Sequence, residues 1–342
     1  IVGQDGLEKL YERELKGIDG EMSVEVDSSS RRIGTIQSTD PVPGNDIFLT
    51  LDARLQQVAF DALEGALTDS VLSKLQSSGR YSVSQTDLFI SMIEANHLSS
   101  SKILSAKSGA QKELLDQAVA DMPDFDPESE DAVTQLKDYL IDGVQAGKIS
   151  YSTMLLAMEE QKLFELTDEE RSGLQNGTVS PFTVVLNMLQ ERRMTAADTA
   201  LDPCTGAVVV SKVDNGEVLA LVSYPSYDNN ELVNQFNSSY YNTLLEDTNT
   251  PLVNRPLKQK KAPGSTLKMV TALAGLETGA IDARTIIDTQ GIFRDAGTPY
   301  ARCWIYSNTG GNHGMVNVTE ALEVSCNYFF YTVGYLLGNQ EE

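Results

Sequence analysis

The sequence is short of the residues from which many binding sites are built. It has three cysteines, Cys204, Cys303 and Cys326, and two histidines, His97 and His313. Three cysteines are too few for a disulfide scaffold, and two histidines far apart in the chain argue against a His-rich metal site. We therefore predict no cofactor and no metal. The cysteines do not indicate a redox compartment.

Positive charge and long apolar runs are also scarce. The chain has 26 basic residues against 49 acidic ones, a formal net charge of −23. No basic stripe exists to neutralise phosphates, which excludes nucleic acid as a partner. No stretch reaches the ~18 to 20 apolar residues that span a bilayer. Residues 1–3, Ile-Val-Gly, have neither an initiator methionine nor a basic leader, so we expect any anchor or export signal to lie upstream.

The first part of the chain mixes helix and strand patterns. A helical pattern ends near Gly17, and short strand-like pieces follow at 23–26, 33–36 and 47–51. Asp52 has the position of an N-cap for a helix with a regular apolar face. Residues 68–200 then show helix-length apolar periodicity and few strand signals. We predict that they form a mostly helical insertion without a catalytic constellation.

The last part, residues 201–342, changes to strands and a helix. Two β-type runs, 207–213 and 218–224, are joined by Asp-Asn-Gly, which is a strong hairpin signal. A later apolar helix ends near Gly279, where a C-terminal glycine is typical. A hairpin followed by a helix predicts an α+β fold in which helices cover an antiparallel sheet.

The segment PGSTLK, residues 263–268, has the first chemical signal. A serine hydroxyl is a poor nucleophile unless a neighbouring group takes its proton. Ser265 follows a Pro-Gly break at the head of a helix, where backbone N–H groups favour a developing anion. Lys268, three residues on, shares its helix face and could be the base if it is neutral, or simply a solvated charge. A second pair with this spacing, Ser99 and Lys102, has nothing beside it.

Three more lysines, Lys258, Lys260 and Lys261, precede the serine, and no acidic residue lies among them. They could lower the pKa of Lys268 or attract a substrate carboxylate. A solvated loop is the interpretation that we favour.

A second motif supports the interpretation of Ser265 and Lys268 as catalytic residues. Ser325-x-Asn327 is the one Ser-x-Asn in the chain and lies before an aromatic run. A hydroxyl can pass a proton to a leaving amine, and an amide can hold a substrate carbonyl or orient a lysine. The presence of both motifs in this order is poorly explained by chance.

With these motifs the chain resembles a class B penicillin-binding protein, a peptidoglycan D,D-transpeptidase. Further similar segments are GQDGLEKLYERELKGIDG, DIFLTLDARLQQVAFDAL, GAVVVSKVDNGEVLALVSYPSYDNNEL and CWIYSNTGGNHGMVNVTEALEVSCNYFFY. The resemblance implies that Ser265 is the acylated nucleophile and Lys268 its general base. It also implies that Ser325 relays the proton to leaving D-alanine and that Asn327 holds the stem-peptide backbone. The backbone N–H of Ser265 would supply half of an oxyanion hole.

The resemblance also implies a domain plan, partners and a location. We expect a pedestal (dimerisation-type) portion at 1–52, a connecting helix at 53–67, the insertion at 68–200 and part of a transpeptidase domain at 201–342. The implied partners are stem peptides ending in D-Ala-D-Ala, β-lactam antibiotics and a membrane glycan polymerase. The implied location is the extracytoplasmic face of the cell membrane, with the anchor outside this chain.

The sequence departs from the family in its third motif, Lys-[Ser/Thr]-Gly, which is expected on a strand well after Asn327. The one Lys-Ser-Gly, residues 107–109, lies upstream in the predicted insertion. We expect a chain that is truncated before that motif. The alternatives are a β-lactam sensor or β-lactamase of the same fold, and a non-catalytic scaffold in a cell-wall synthesis complex.

Overall fold

The structure is a computed structural model that describes residue 3 and residues 6–78, 82–233 and 235–339. The chain divides into two compact units, Ile1–Gln259 and Lys260–Glu342. Both contain helices and two-stranded antiparallel sheets, so the predicted α+β class is confirmed. The predicted domain boundaries at 52, 67 and 200 stay predictions.

The first unit opens with two short helices, where the sequence predicts one helical pattern, and with a pair of strands at the first two predicted strand-like pieces. The helices are α1 (Gly6–Leu10) and α2 (Glu12–Leu15), and Gly17 follows them with a φ of 67°. Strands β1 (Glu21–Val26) and β2 (Arg32–Thr39) pair antiparallel. Their strand character follows from the short alternating runs in the sequence.

The strand predicted at 47–51 is wrong. This segment has no regular secondary structure, and isolated hydrogen bonds link its end to the later hairpin, such as the one that Thr50 Oγ1 donates to Val218 O at 2.6 Å. Asp52 is the N-cap that we predicted, because its Oδ1 accepts from the backbone N–H of Leu55 at 2.9 Å. The helix that it starts, α3 (Ala53–Gln76), continues beyond residue 67.

Eight further helices follow α3 before the next strand in the described part of this unit, as the apolar periodicity predicts. One hydrophobic core joins them and includes Val71, Leu114, Leu136 and Met158. The helices are α4 (Gln85–Glu94), α5 (Ser100–Leu104), α6 (Gly109–Asp121), α7 (Ala132–Gln145), α8 (Tyr151–Glu160), α9 (Asp168–Asn176), α10 (Pro181–Gln190) and α11 (Ala196–Thr199).

Three of these helices repeat one pattern, which the sequence analysis did not identify. VSQTDLFISMIEANHL at 83–98, ISYSTMLLAMEEQKLF at 149–164 and VSPFTVVLNMLQERRM at 179–194 each place an apolar residue and a serine before a ten-residue helix. Each helix has a fully buried methionine at the same position, and each ends in a turn with one left-handed residue. The methionines are Met92, Met158 and Met188, and the left-handed residues are Asn96, Lys162 and Arg192.

The serines at the start of the repeats allow a matched test of capping. Ser84 and Ser150 accept a hydrogen bond from the third backbone N–H of their helices, whereas Ser180 accepts none. We expect Ser84→Ala and Ser150→Ala each to lower the free energy of unfolding by about 1 kcal/mol. Ser180→Ala is the control and should change it little. Denaturant unfolding followed by far-UV circular dichroism measures all three, and an equal loss at Ser180 would contradict the capping explanation.

The predicted hairpin forms and packs on α3. Strands β3 (Gly206–Ser211) and β4 (Val218–Tyr224) are antiparallel, and Gly216 in the turn has a φ of 76°. Gln56 of α3 exchanges two hydrogen bonds with the backbone of Leu221, at 2.7 and 2.8 Å. The unit ends with a 3-10 turn (Asn229–Glu231), α12 (Ser238–Glu246) and α13 (Arg255–Lys258).

The second unit holds both chemical motifs. Its core contains Ala272, Val316, Ala321, Phe329 and Val333. Strand β5 (Ile287–Thr289) pairs with β8 (Gly314–Val316), and β6 (Ile292–Phe293) pairs with β7 (Ala301–Arg302), both antiparallel. The elements are a 3-10 turn (Gly264–Thr266), α14 (Leu267–Glu277), β5 (Ile287–Thr289), β6 (Ile292–Phe293), β7 (Ala301–Arg302), α15 (Trp304–Thr309), β8 (Gly314–Val316), α16 (Val318–Glu323) and α17 (Asn327–Gly338).

Helix α14 packs through a different face from the one that its large apolar residues suggest. Val270 and Leu273 are each 60% exposed, and the buried positions are Ala272 and Gly275. Small residues let α14 and α17 approach closely. A Cβ added at Gly275 would lie 2.8 Å from Val333 Cγ1. Gly279 has a φ of 74°, as expected after a helix end.

Candidate active site

Ser265 lies in the 3-10 turn that leads into α14, and its side chain is exposed. Gly264 before it has a φ of 59°, a conformation that glycine adopts without strain. The Pro-Gly break therefore turns the chain so that the serine heads the helix. This is the position that the sequence predicts.

Lys268 lies one turn later and is the centre of the cluster. Its Nζ donates to Ser265 Oγ at 3.3 Å, to Ser325 Oγ at 2.9 Å and to Asn327 Oδ1 at 2.6 Å. It also contacts the backbone oxygen of Ser325 at 2.8 Å. The structure thus brings together all four predicted site residues, although the two motifs lie far apart in the sequence.

Ser325 is held in an unusual conformation by its neighbours. It has a φ of 50°, and a non-glycine residue in this region stores strain that the surrounding structure must support. The backbone N–H of Cys326 donates to Ala321 O at 2.8 Å, and Trp304 Nε1 donates to Val324 O at 3.1 Å. These bonds hold the backbone on both sides of Ser325, whose Oγ donates to Ser265 Oγ at 3.1 Å.

The electrostatics of the cluster favour a lysine that can lose its proton. Burial lowers the pKa of Lys268 below its ordinary value, while the neighbouring thiols of Cys303 and Cys326 act in the opposite direction. No carboxylate pairs with its Nζ among the described residues. A lowered pKa increases the neutral fraction, which is the form that can act as a base.

The arrangement can activate a nucleophile and deliver a proton. Neutral Lys268 can take the proton of Ser265, and Ser325 touches both groups, so a proton can pass through it to a leaving group. Asn327 keeps Lys268 in place through its Oδ1, and its Nδ2 reaches Arg302 O at 3.4 Å. The catalytic roles of these residues remain predictions.

A group of possible metal ligands lies beside the cluster. The donor atoms of Cys303, His313 and Cys326 all lie within 4.8 Å of one another. Cys303 Sγ is 3.6 Å from His313 Nδ1, and His313 Nε2 is buried without a hydrogen-bond partner. Two thiols and an imidazole are ligands that Zn²⁺ takes in proteins, with one position left for a further ligand. These residues could therefore hold a metal ion.

The sequence does not reveal this group, because the spacing of its members matches no zinc-ligand pattern. Cys326 is the middle residue of Ser325-x-Asn327. Placing this motif beside Lys268 therefore also places Cys326 near Lys268. Burial lowers the pKa of His313, and the charge of Lys268 lowers it further. Burial also raises the pKa of Cys326, and Cys303 adds to that effect.

The other patterns singled out in the sequence show no comparable cluster in the described residues. Ser99 precedes α5, and its Oγ contacts Ser101 Oγ at 2.9 Å rather than Lys102. The Lys-Ser-Gly at 107–109 leads into α6. Lys260 and Lys261 are exposed, as expected for a solvated loop.

Two protein-family models match the chain. The penicillin binding protein transpeptidase domain matches residues 206–341, and the penicillin-binding protein dimerisation domain matches residues 1–49. The chain therefore belongs to the penicillin-binding proteins, and the predicted family is confirmed. Among the described residues, no helix has the length and apolar character needed to cross a membrane.

Curated relatives share the region around the site. Peptidoglycan D,D-transpeptidase MrdA of Escherichia coli K12 is 41% identical over 142 residues, which are 41% of this chain and 22% of that protein. Peptidoglycan D,D-transpeptidase PbpA of Mycobacterium tuberculosis H37Rv is 34% identical over 140 residues, 40% of this chain and 28% of that protein. The chain thus matches about a quarter of the length of these relatives.

Solved structures with local similarity are also penicillin-binding proteins. Pseudomonas aeruginosa PBP2 in complex with WCK 5153 is 32% identical and covers 45% of this chain and 33% of its own, with a TM-score of 0.36. The penicillin G acyl-enzyme of penicillin-binding protein A from M. tuberculosis is 29% identical and covers 40% of this chain and 32% of its own, with a TM-score of 0.35.

Proposed function

We propose that the protein is a serine D,D-transpeptidase that cross-links peptidoglycan stem peptides through an acyl-enzyme on Ser265. The observation that carries this proposal is the contact of Lys268 Nζ with the hydroxyls of both Ser265 and Ser325. The naming of the curated relatives as peptidoglycan D,D-transpeptidases supports it. The donor substrate is a stem peptide that ends in D-Ala-D-Ala.

Acylation begins when neutral Lys268 takes the proton of Ser265 and the serine Oγ attacks the carbonyl carbon of the penultimate D-alanine. The backbone N–H of Ser265 stabilises the oxyanion, and Asn327 holds the peptide. The peptide C–N bond then breaks, and Ser325 passes a proton to the amine of the leaving D-alanine. An amine of a second stem peptide attacks the ester, which frees Ser265 and forms the cross-link. A β-lactam ring opens by the same attack and remains as a stable ester.

The proposal extends to where the protein works and with which partner. Its substrate is the growing wall, so it acts at the extracytoplasmic face of the cell membrane. A membrane glycan polymerase is its partner, because new glycan strands are the material to be cross-linked.

A fluorescent penicillin tests the proposal. We expect it to label the full-length protein, and peptide mapping should place the adduct on Ser265 alone. Ser265→Ala should abolish the label, because it removes the proposed nucleophile. Ser325 has the other hydroxyl that contacts Lys268 Nζ among the described residues, and its proposed role is to pass on a proton. Ser99→Ala is the matched control, since Ser99 has the same spacing to a lysine, and it should label normally.

Labelling that survives Ser265→Ala, or an adduct on Ser99, would refute the assignment. A label that is acquired on Ser265 but lost again within seconds would indicate the alternative of a β-lactamase, because a transpeptidase releases the penicilloyl ester slowly.

A further inference from the structure

The turn between α16 and α17 carries Ser325, and its shape decides where the hydroxyl lies. Residues 324–326 make up this turn. Ser325 has a φ of 50°, in the left-handed region that a serine leaves unless its neighbours hold it there. A small relaxation would move Ser325 Oγ away from Lys268 Nζ and Ser265 Oγ, which lie 2.9 and 3.1 Å from it. The turn therefore needs firm support.

Two of the bonds that hold the turn are local. The backbone N–H of Ser325 donates to Leu322 O at 3.1 Å, and that of Cys326 donates to Ala321 O at 2.8 Å. Both acceptors belong to α16, so these bonds fix the turn only relative to the helix before it. Support from a separate element has to come from side chains.

Side chains from other elements also reach the turn. Lys268 Nζ donates to Ser325 O at 2.8 Å, and Trp304 Nε1 donates to Val324 O at 3.1 Å. The charge of Lys268 changes when it takes the proton of Ser265, so its contact with the turn changes in strength during the reaction. An indole N–H only donates and keeps its proton. The bond from Trp304 is therefore the support that stays constant.

The segment that carries Trp304 is itself well anchored. Arg302 belongs to strand β7, which pairs with β6, and the backbone N–H of Cys303 donates to Gly291 O at 2.8 Å. The backbone oxygen of Arg302 accepts from Asn327 Nδ2 at 3.4 Å. This segment therefore contacts the chain both before and after the serine of the motif.

The indole of Trp304 suits this role through its N–H rather than through its bulk. The residue is 45% exposed, so a large part of the ring lies outside the core. The imidazole of His313 packs against the ring, with the two centroids 5.4 Å apart, and limits its rotation. A phenylalanine could keep this ring contact but has no group to donate to Val324 O.

We propose that Trp304 is a positioning residue for proton transfer, whose indole N–H keeps Ser325 Oγ between Lys268 and the leaving group. This rests on the proposed function, because it concerns the acylation of Ser265. In that step Lys268 takes the proton of Ser265 as the serine Oγ bonds to the carbonyl carbon. Ser325 gives its own proton to the leaving nitrogen as the C–N bond breaks, and it regains one from the Lys268 ammonium.

The leaving group shows whether Trp304 acts through this proton. An amide nitrogen, in a peptide or in a β-lactam ring, must gain a proton as its C–N bond breaks. A thioester releases a thiolate, which can leave as an anion because a thiol has a pKa of about 8.5. Loss of the positioning bond should therefore slow acylation by an amide and spare acylation by a thioester.

Acylation of full-length Trp304→Phe by two probes tests the proposal. Fluorescent penicillin is the amide probe, and an N-acyl-D-alanyl thioester, followed by its absorbance, is the other. We expect the penicillin rate constant to fall about tenfold and the thioester kcat/KM to change by less than about twofold. Tyr306→Phe is the control, because it removes a hydroxyl on the same helix that has no hydrogen bond among the described residues. It should leave both rates unchanged.

Ser325→Ala shows whether Trp304 acts through Ser325. This change alone should slow acylation by penicillin about a hundredfold. Adding Trp304→Phe to it should cause no further loss, because the group that Trp304 positions is already absent. Additive losses, equal losses with both probes, or an unchanged penicillin rate in Trp304→Phe would each overturn the proposal.

A second replacement keeps the test valid if Trp304→Phe does not fold. Benzothienylalanine at position 304 replaces the indole N–H by sulfur and keeps the shape of the ring. It should slow acylation by penicillin and not by the thioester, and a normal penicillin rate would overturn the proposal. Failure of the unchanged protein to acquire penicillin on Ser265 would reject the proposed function instead.

Discussion

Replacing Lys268 with alanine is expected to slow the acylation of Ser265 by a β-lactam by about a hundredfold or more, the scale of a positioned proton acceptor. The reason is geometric: Lys268 Nζ is 3.3 Å from Ser265 Oγ and 2.9 Å from Ser325 Oγ, and no other basic side chain makes these contacts among the described residues. The second-order acylation rate constant, measured by time courses with fluorescent penicillin, gives the result.

Lys268→Arg should acylate no faster than Lys268→Ala, because a guanidinium stays protonated and cannot accept the proton. An arginine variant with near-normal acylation would show that Lys268 contributes only charge. Lys260→Ala is the control, since Lys260 is exposed, and it should keep the rate within a few-fold.

The same base predicts the pH dependence. Neutral lysine is the active form, so the rate rises with pH until Lys268 is deprotonated. Burial lowers the pKa of Lys268, so this rise should occur at lower pH than for an exposed lysine, whose pKa is about 10.4. A rate that does not change between pH 6 and pH 10 would contradict a role for Lys268 as base.

Truncating Phe329 should have the largest effect on stability in the second unit. Phe329 is fully buried on α17, two residues after Asn327, and its ring contacts Phe330 edge to face at a centroid distance of 5.2 Å. Phe329→Ala removes this packing and leaves a cavity, which costs about 3 to 5 kcal/mol. Because α17 begins at Asn327, the same change should also loosen the contact of Asn327 with Lys268.

Fluorescence of Trp304 measures this effect. It is the only tryptophan in the chain and lies in the second unit, so its denaturant transition reports on this unit. Leu336→Ala on the same helix is the control, because Leu336 is 39% exposed and should cost less than about 1 kcal/mol. A Phe329→Ala transition that coincides with the control would mean that α17 does not depend on this core.

Much of the local structure could be predicted from short stretches of sequence. The N-cap at Asp52, the hairpin turn with Gly216 and the helix end at Gly279 all depend on a few neighbouring residues, and all three are present. The strand predicted at 47–51 failed because strand formation depends on a partner along the whole segment. Here only isolated bonds to β4 form, such as that of Thr50.

The sequence alone determined the family, the helical character of the middle of the chain and the identity of the residues in both motifs. These follow from residue types and short spacings, which are local properties. Only the tertiary structure decided that Ser325 and Asn327 meet Lys268, that Cys303 and His313 lie beside Cys326, and that α14 is buried at Gly275 instead of Leu273. The physical reason is that hydrophobic packing is not local: which face a helix buries depends on the shape of its partner, and contacts between distant segments follow from that choice.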